Sequence, residues 1–253
     1  MNGDSENTLE VRSPIFIHGM WRTGSTYIWN KFRQIKRFHA YSEPLHEALA
    51  GSRTELSQAW SLEINRRLRH PDTDEFYFAE YSFRAEGGAH HFQVDFAYQR
   101  YILEENEAYP SLEHYINNLL CLARTHQQRP VLQFNRGLLR TGWLAKHFPS
   151  VTILILRDPR QIWRSFISFE DLYFPAVLCL IIGQNQTHPL IAPIARQFDV
   201  PVYHSESFQE DFEFFRAFAA PRLRDLSISI VLLLLHFMLP SFDPVRPMCD
   251  RCR

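Results

Sequence analysis

Gly19 and Gly24 stand five residues apart and are followed at once by Ser25 and Thr26. This is the frame of a phosphate-binding loop, G-x-x-x-x-G-[KS]-T, with serine where nucleotide hydrolases carry lysine. A loop of this shape aims successive main-chain N–H groups, and the positive end of the following helix, at an anion whichever side chains decorate it. Arg22, inside the loop, adds a planar fork of donors suited to a tetrahedral oxyanion. Without the lysine that reaches the β- and γ-phosphates, triphosphate hydrolysis is disfavoured, so the pattern points to a different anionic donor. A second basic cluster, Leu156-Arg157-Asp158-Pro159-Arg160, is followed by Ser165, seven residues beyond Asp158. Seven residues make about two helical turns, which brings Ser165 to the face of the helix start and near the line of Arg157.

These groups need a scaffold, and the surrounding pattern is α/β. Ile15 to His18 is an uninterrupted apolar run suited to a strand covered on both faces. Ser25 to Lys36 reads as a helix with Ile28, Phe32 and Ile35 in one stripe, and His39 to Ser42 as a second strand stopped by Glu43-Pro44. Residues 13–44 are thus predicted as a right-handed βαβ unit containing the loop. Residues 45–128 are expected to be a mostly helical insertion on the acceptor side. Within it Ser52-Arg-Thr-Glu55 is a capping box ahead of Leu56, Trp60, Ile64 and Leu68, and Ser111 caps a helix with Leu112, Ile116, Leu119 and Ala123 inward. The stretch from Phe76 to Tyr98 has no clean period and is left unassigned.

Residues 129–220 are predicted to complete the parallel sheet. Val131 to Phe134 is a third strand, Leu138 to His147 a helix, and Val151 to Leu156 the clearest buried strand in the chain. Asp158 and Pro159 are an N-cap and an N1 proline, so a helix starts there. Val200 to His204 reads as a fifth strand, and Ser207 to Glu210 as a capping box for a helix with Phe208, Phe212, Phe215 and Ala219 in stripe. Arg22, Glu43, Arg136, Arg157 and Ser205 each follow a predicted strand, the edge at which open parallel sheets bind ligands. The whole is predicted to be one α/β domain with a P-loop NTPase-like three-layer fold, a central parallel sheet and a helical insertion. Residues 221–253 depart in character: Leu226 to Leu239 is a dense apolar run of fourteen residues. A bilayer crossing needs about 20, so a buried helix or strand is the expectation there.

The totals narrow the function classes. With 253 residues the chain can bury a full core, and 27 basic against 28 acidic residues, a net charge of −1, set up no global field toward nucleic acid or an anionic membrane. Four scattered cysteines do not suggest a disulfide framework, and the polar, acidic N-terminus is unlike a signal peptide, so a cytoplasmic location is expected. Cys249-Asp-Arg-Cys252 is a lone C-x-x-C and His90-His91 would alternate sides of an extended chain, so no metal site is expected.

Arg22-Thr-Gly-Ser-Thr26 resembles the 5′-phosphosulfate loop, R-[ST]-G-[ST]-[ST], of sulfotransferases that use 3′-phosphoadenosine 5′-phosphosulfate (PAPS). Leu156-Arg157-Asp158-Pro159-Arg160 with Ser165 resembles their 3′-phosphate motif, and the likeness runs from about Pro14 to about Phe169. It implies PAPS as donor and 3′,5′-bisphosphoadenosine (PAP) as product, with no metal, and a small-molecule, glycan or peptide acceptor. Arg22, Thr23, Gly24, Ser25 and Thr26 would then hold the 5′-phosphate and sulfate, and Arg157 and Ser165 the 3′-phosphate. Glu43, 21 residues after Arg22, has an offset similar to the base of tyrosylprotein-type enzymes. His46 is the reserve base, since cytosolic small-molecule enzymes use histidine, and Arg136 resembles the position of a cation on the leaving oxygen. The chain has no G-x-x-G-x-x-[KR] near its C-terminus, where relatives close over the 3′-phosphate, so 221–253 reads as an atypical and truncated C-terminus. Two other readings stay open: a non-catalytic nucleotide-binding protein that kept the loop, and a P-loop kinase, against which stands Arg157 where a magnesium-holding aspartate is usual.

Overall fold

Four parallel strands carry the loops that matter, in the order β2-β3-β1-β4 among the described residues. The computed structural model describes residues 13–56, 63, 66, 76–85, 87–167 and 172–222. β1 is Ile15–Gly19, buried along its whole length. It lies between β3 (Arg129–Phe134) and β4 (Val151–Ile155), with Ile15 opposite both Val131 and Val151 and Gly19 opposite Ile155. β2 (Phe38–Ser42) pairs with the far side of β3. All four strands run the same way, so the segments after Gly19, Ser42, Phe134 and Ile155 emerge at one edge, where an α/β sheet gathers its ligand groups.

The helix after the loop, α1, is Ser25–Arg33, shorter than the expected span to Lys36. It ends in tight turns in which Ile35 N–H donates to the Phe32 carbonyl and Phe38 N–H to that of Ile35, leaving Ile35 exposed. The residue that locks α1 to the sheet is Trp29, fully buried, whose indole N–H donates to the Ala40 carbonyl of β2 at 2.7 Å. Ile28 and Phe32 flank it, half-buried. Ser52 and Glu55 do form the reciprocal capping box, but the helix expected through Leu68 lies mostly outside the described residues. From Phe76 to Tyr109 the described backbone is turns, one bridge between Phe83 and Ala89, and a short 3₁₀ turn, Val94–Ala97. Regular helix resumes at α2, Pro110–Thr125, where Pro110 takes the first helical position and Tyr109, rather than Ser111, is the cap residue. Leu112, Ile116, Leu119 and Ala123 are its buried face, as read.

After β3 a 3₁₀ turn, Leu138–Arg140, leads into α3, Thr141–His147. β4 departs from expectation, for Val151 and Leu156 are each 47% exposed and Leu154 38%. An apolar run signals a strand that is covered, yet β4 is an edge strand of the described sheet and pairs only with β1. α4 is Pro159–Ile167, and the Asp158 carboxylate accepts from Arg160 N–H at 2.9 Å, so the cap and the N1 proline fall where the sequence placed them.

The fifth strand expected at Val200–His204 does not form. Pro201 lacks a donor for a ladder, Val202 is 75% exposed, and the Tyr203 ring stacks on Phe214 at 3.9 Å, which anchors the segment to a helix instead. That helix, α7 (Phe208–Ala219), is capped by Ser207 and packs on α5 (Tyr173–Gln184), with the short α6 (Ala192–Gln197) between them in sequence. α5 is apolar on every face, and this second core joins Leu178, Ile181, Ile182 and Phe215 to Met20 and Trp21 of the loop. The run Leu226–Leu239 lies outside the described residues. Among the described residues no helix is long and apolar enough to cross a membrane.

Candidate active site

The loop after β1 is held open by its own side chains. Arg22 adopts φ 68° and Gly24 φ 93°, two left-handed turns that face the peptide groups outward. The Thr23 hydroxyl donates to the Met20 carbonyl at 2.7 Å, and the buried Ser25 hydroxyl donates to Asn135 Oδ1 at 2.8 Å. Thr23 and Ser25 thus spend their hydroxyl protons on the loop and on β3, which leaves main-chain amides as the donors toward an anion. Among the described residues the N–H groups of Gly24, Ser25 and Thr26 donate to no protein group. Asn135 also accepts from Gln133 Nε2 at 2.8 Å, so a single amide oxygen ties the loop to the end of β3.

The second basic cluster arrives at the same place. Arg157 Nη1 donates to the carbonyl of Arg22 at 2.7 Å, and Arg22 Nε donates to the hydroxyl of Ser165 at 2.8 Å. The alternative for Arg157, an ion pair with Asp158, is not what forms, because the Asp158 carboxylate is taken by the Arg160 guanidinium at 2.7 Å. Arg160 hydrogen-bonds Asp158 and holds its carboxyl below the usual range. Arg157 is exposed, with Nε on Gln161, and it follows β4 as Arg22 follows β1. Loop and motif therefore sit side by side because β1 and β4 are paired neighbours.

Opposite the loop stands a cluster of charges. Glu43, after β2, adopts φ 38°, an unfavourable backbone state for a residue with a Cβ and one that strained functional positions often show. Arg136, after β3, is 1% exposed and bonds Glu43 Oε2 through Nη1 at 2.6 Å. Its Nη2 pairs with Glu47 Oε2 at 2.6 Å and donates to the Tyr173 hydroxyl at 3.0 Å. The Tyr173 hydroxyl in turn donates to the other oxygen of Glu47. Burial opposes the charge on Glu47, but Arg136, His46 and Tyr173 outweigh it and hold the carboxyl low. Burial likewise opposes the charge of Arg136, and Glu47, Tyr173 and Glu43 overcome it. Among the described residues Arg136 is the one group that hydrogen-bonds the Glu43 carboxylate, so Oε1 remains for a substrate.

His46 lies beside this cluster. Burial keeps it below its ordinary value despite Glu47, and its Nδ1 accepts the Ala48 N–H at 3.1 Å, capping the 3₁₀ turn Glu47–Ala50. A ring whose Nδ1 lone pair is so used carries its proton on Nε2, which suits a cap better than a base. Between loop and cluster is a cavity of about 50 Å³ lined by Trp21, Arg22, Thr26, Glu43, His46, Asn135, Tyr173 and Phe174.

The structure thus brings Arg22, Thr26, Glu43 and His46 to one cavity, with Arg157 and Ser165 hydrogen-bonded to Arg22 and Arg136 to Glu43. Ser205, also named from a predicted strand end, is elsewhere, hydrogen-bonded by its N–H to Asp211. Sequence reasoning missed Glu47, Asn135 and Tyr173. Glu47 had a signal, a second carboxylate four residues after Glu43; Tyr173 had none. Among the described residues no group of three or more His, Cys, Asp or Glu is placed to hold a metal ion.

Comparison with curated proteins returns no match, and neither does comparison with solved structures. A family model described as the sulfotransferase family matches residues 14–176, well over half of the chain. The matched stretch runs from the residue before β1 into α5 and contains every group gathered around the cavity: the chain belongs to the sulfotransferase family.

Proposed function

We propose that the protein transfers a sulfuryl group from PAPS to a hydroxyl or amine of an acceptor, in line and with Glu43 as general base. The observation that carries the reading is the meeting of Arg157 and Ser165 at Arg22, which lines a cavity together with Glu43, whose Oε1 has no protein partner among the described residues. The donor's chemistry fits these residues. Amides of Gly24, Ser25 and Thr26, without protein partners among the described residues and at a helix start, suit the 5′-phosphate and sulfate. Arg157, exposed and with Nη2 unengaged among the described residues, suits the 3′-phosphate together with Ser165.

In the step itself Glu43 takes the acceptor proton as the acceptor oxygen or nitrogen bonds to sulfur. The bond between sulfur and the bridging oxygen of the 5′-phosphate breaks, and its electron pair leaves with PAP. The loop amides and the Arg22 guanidinium face the charge that grows on that oxygen. Arg136 serves less well there than its position after β3 suggested, because both of its Nη groups are engaged by carboxylates and Tyr173. Its role is to hold Glu43.

Calorimetry with PAP, followed by transfer of radiolabelled sulfate from PAPS to a panel of small alcohols, phenols, glycans and tyrosine peptides, tests the proposal. Nucleotide binding with labelled product supports it. Binding with no product on any acceptor favours the non-catalytic reading, and absence of binding removes PAPS as the donor.

A further inference from the structure

We infer that Glu47 is a positioning residue: with Tyr173 it takes up half of the Arg136 charge, so that Glu43 keeps the proton affinity a base needs. The inference rests on the reading of Glu43 given above. Two carboxylates meet one guanidinium, Glu43 on Nη1 and Glu47 on Nη2, each at 2.6 Å. The two acids are not equivalent. Glu43 lines the cavity with a side chain 18% exposed, whereas that of Glu47 is 7% exposed and has both oxygens engaged, one by Arg136 and one by the Tyr173 hydroxyl. An unpaired guanidinium at 1% exposure would be costly, and a carboxylate that alone balanced it would be held tightly in its ionised form. With Glu47 present the buried pair is neutral, and Glu43 carries the net charge of the cluster at the cavity wall.

The other groups that face Glu43 leave this balance in place. His46 is kept neutral by burial near neutral pH, and burial raises the phenols of Tyr77, Tyr81 and Tyr101, the last to about 12, so that none is charged there. Arg22, which lines the same cavity, is charged throughout. Tyr173 opens α5, Arg136 follows β3, and Glu43 and Glu47 share the segment after β2, so three separate segments converge on the cluster.

The slow transfer of the sulfuryl group from PAPS to water, read as inorganic sulfate released enzymatically from pH 3 to pH 8 and corrected for release without enzyme, needs no knowledge of the acceptor. For Glu47→Gln the acid limb of the profile is expected to move down by about one pH unit and the plateau rate to fall about three- to ten-fold, the loss that a one-unit drop in basicity brings. PAP affinity, read by calorimetry, should stay within about two-fold, since Glu47 does not touch the donor loop. Glu47→Asp keeps the charge and should keep the limb in place. A Glu47→Gln protein that loses rate with an unmoved limb would show a merely structural role and overturn the inference.

Tyr173→Phe retains every charge and serves if Glu47→Gln does not fold. Its rate should fall about five-fold with PAP affinity unchanged, the worth of one hydrogen bond, and a wild-type rate would overturn the inference as well. Glu43→Gln separates the two levels. If it abolishes sulfate release while Glu47→Gln leaves the limb unmoved, only the inference fails; if it leaves release intact, the reading of Glu43 fails with it.

Discussion

At the scale of single residues the proposed reading separates two tasks, gripping an anion and moving a proton, onto different side chains. Glu43→Gln removes the proton acceptor without touching the loop. Turnover is expected to drop by about 10² to 10⁴ with the PAP dissociation constant within about two-fold. Arg157→Ala does the reverse: it deletes a charge-assisted contact and should weaken PAP binding roughly ten- to a hundred-fold, with a smaller change in turnover at saturating PAPS. Calorimetry and steady-state assays on both variants check the pair, and equal losses in both quantities for either variant would contradict the division. Arg157 also braces the Arg22 carbonyl at 2.7 Å, so some loosening of the loop should accompany the lost contact.

At the scale of elements two glycines show what the backbone demands. Gly24 begins α1 at φ 93°, with open space where a Cβ would stand, so the obstacle to a side chain is the left-handed conformation itself. Gly24→Ala is expected to cost about 1–2 kcal/mol, and because the loop amides turn with it, PAP affinity should fall in parallel. Gly183 is a different case. Within α5, a Cβ there would lie 2.3 Å from Phe215 Cζ and 3.0 Å from the Pro201 carbonyl, so the glycine is what lets α7 approach. Gly183→Ala gains about 1 kcal/mol of helix propensity but overpacks the contact by about 1–3 kcal/mol. The expected result is a lower urea midpoint with little change in PAP affinity; a higher midpoint would mean that the helices part without cost.

At the scale of the whole molecule, stability should depend on a histidine in the middle of the sheet. His18 of β1 is fully buried, stacked on Phe134 at 5.2 Å, and neither ring nitrogen has a hydrogen-bond partner among the described residues. Burial lowers it from 6.5 to about 4, an effect the nearby Gly137 main chain offsets only in part. Between these values the unfolded chain binds a proton that the folded one refuses. The stabilising contribution is therefore complete above pH 6.5 and is lost as pH falls toward 4, about 3 kcal/mol in all. Denaturant titrations across that window should show the loss, and His18→Leu should flatten it. A wild-type midpoint constant from pH 6.5 to pH 4 would show that the imidazole finds solvent or a partner.

Local signals in the chain were enough for the strand, loop and helix around Gly19–Thr26, for the start of α4 at Asp158-Pro159, and for the order of β1 to β4 along the sequence, because glycine spacing, caps and apolar runs act over a few residues. They were also enough to name Arg22, Glu43, Arg136 and Arg157 as strand-end groups. Local pattern could not supply α5, which is apolar all round and so has no face to reveal its period. Nor could it tell that Val200–His204 has no strand beside it among the described residues, or that β4 is exposed there, since an apolar run does not say what covers it. Tertiary structure alone decided that Ser165 meets Arg22, that Ser25 is tied to Asn135, and that Glu47 and Tyr173 share Arg136 with Glu43. Those partners lie up to 143 residues apart, and only the parallel sheet, by bringing its strand ends to one edge, makes them neighbours.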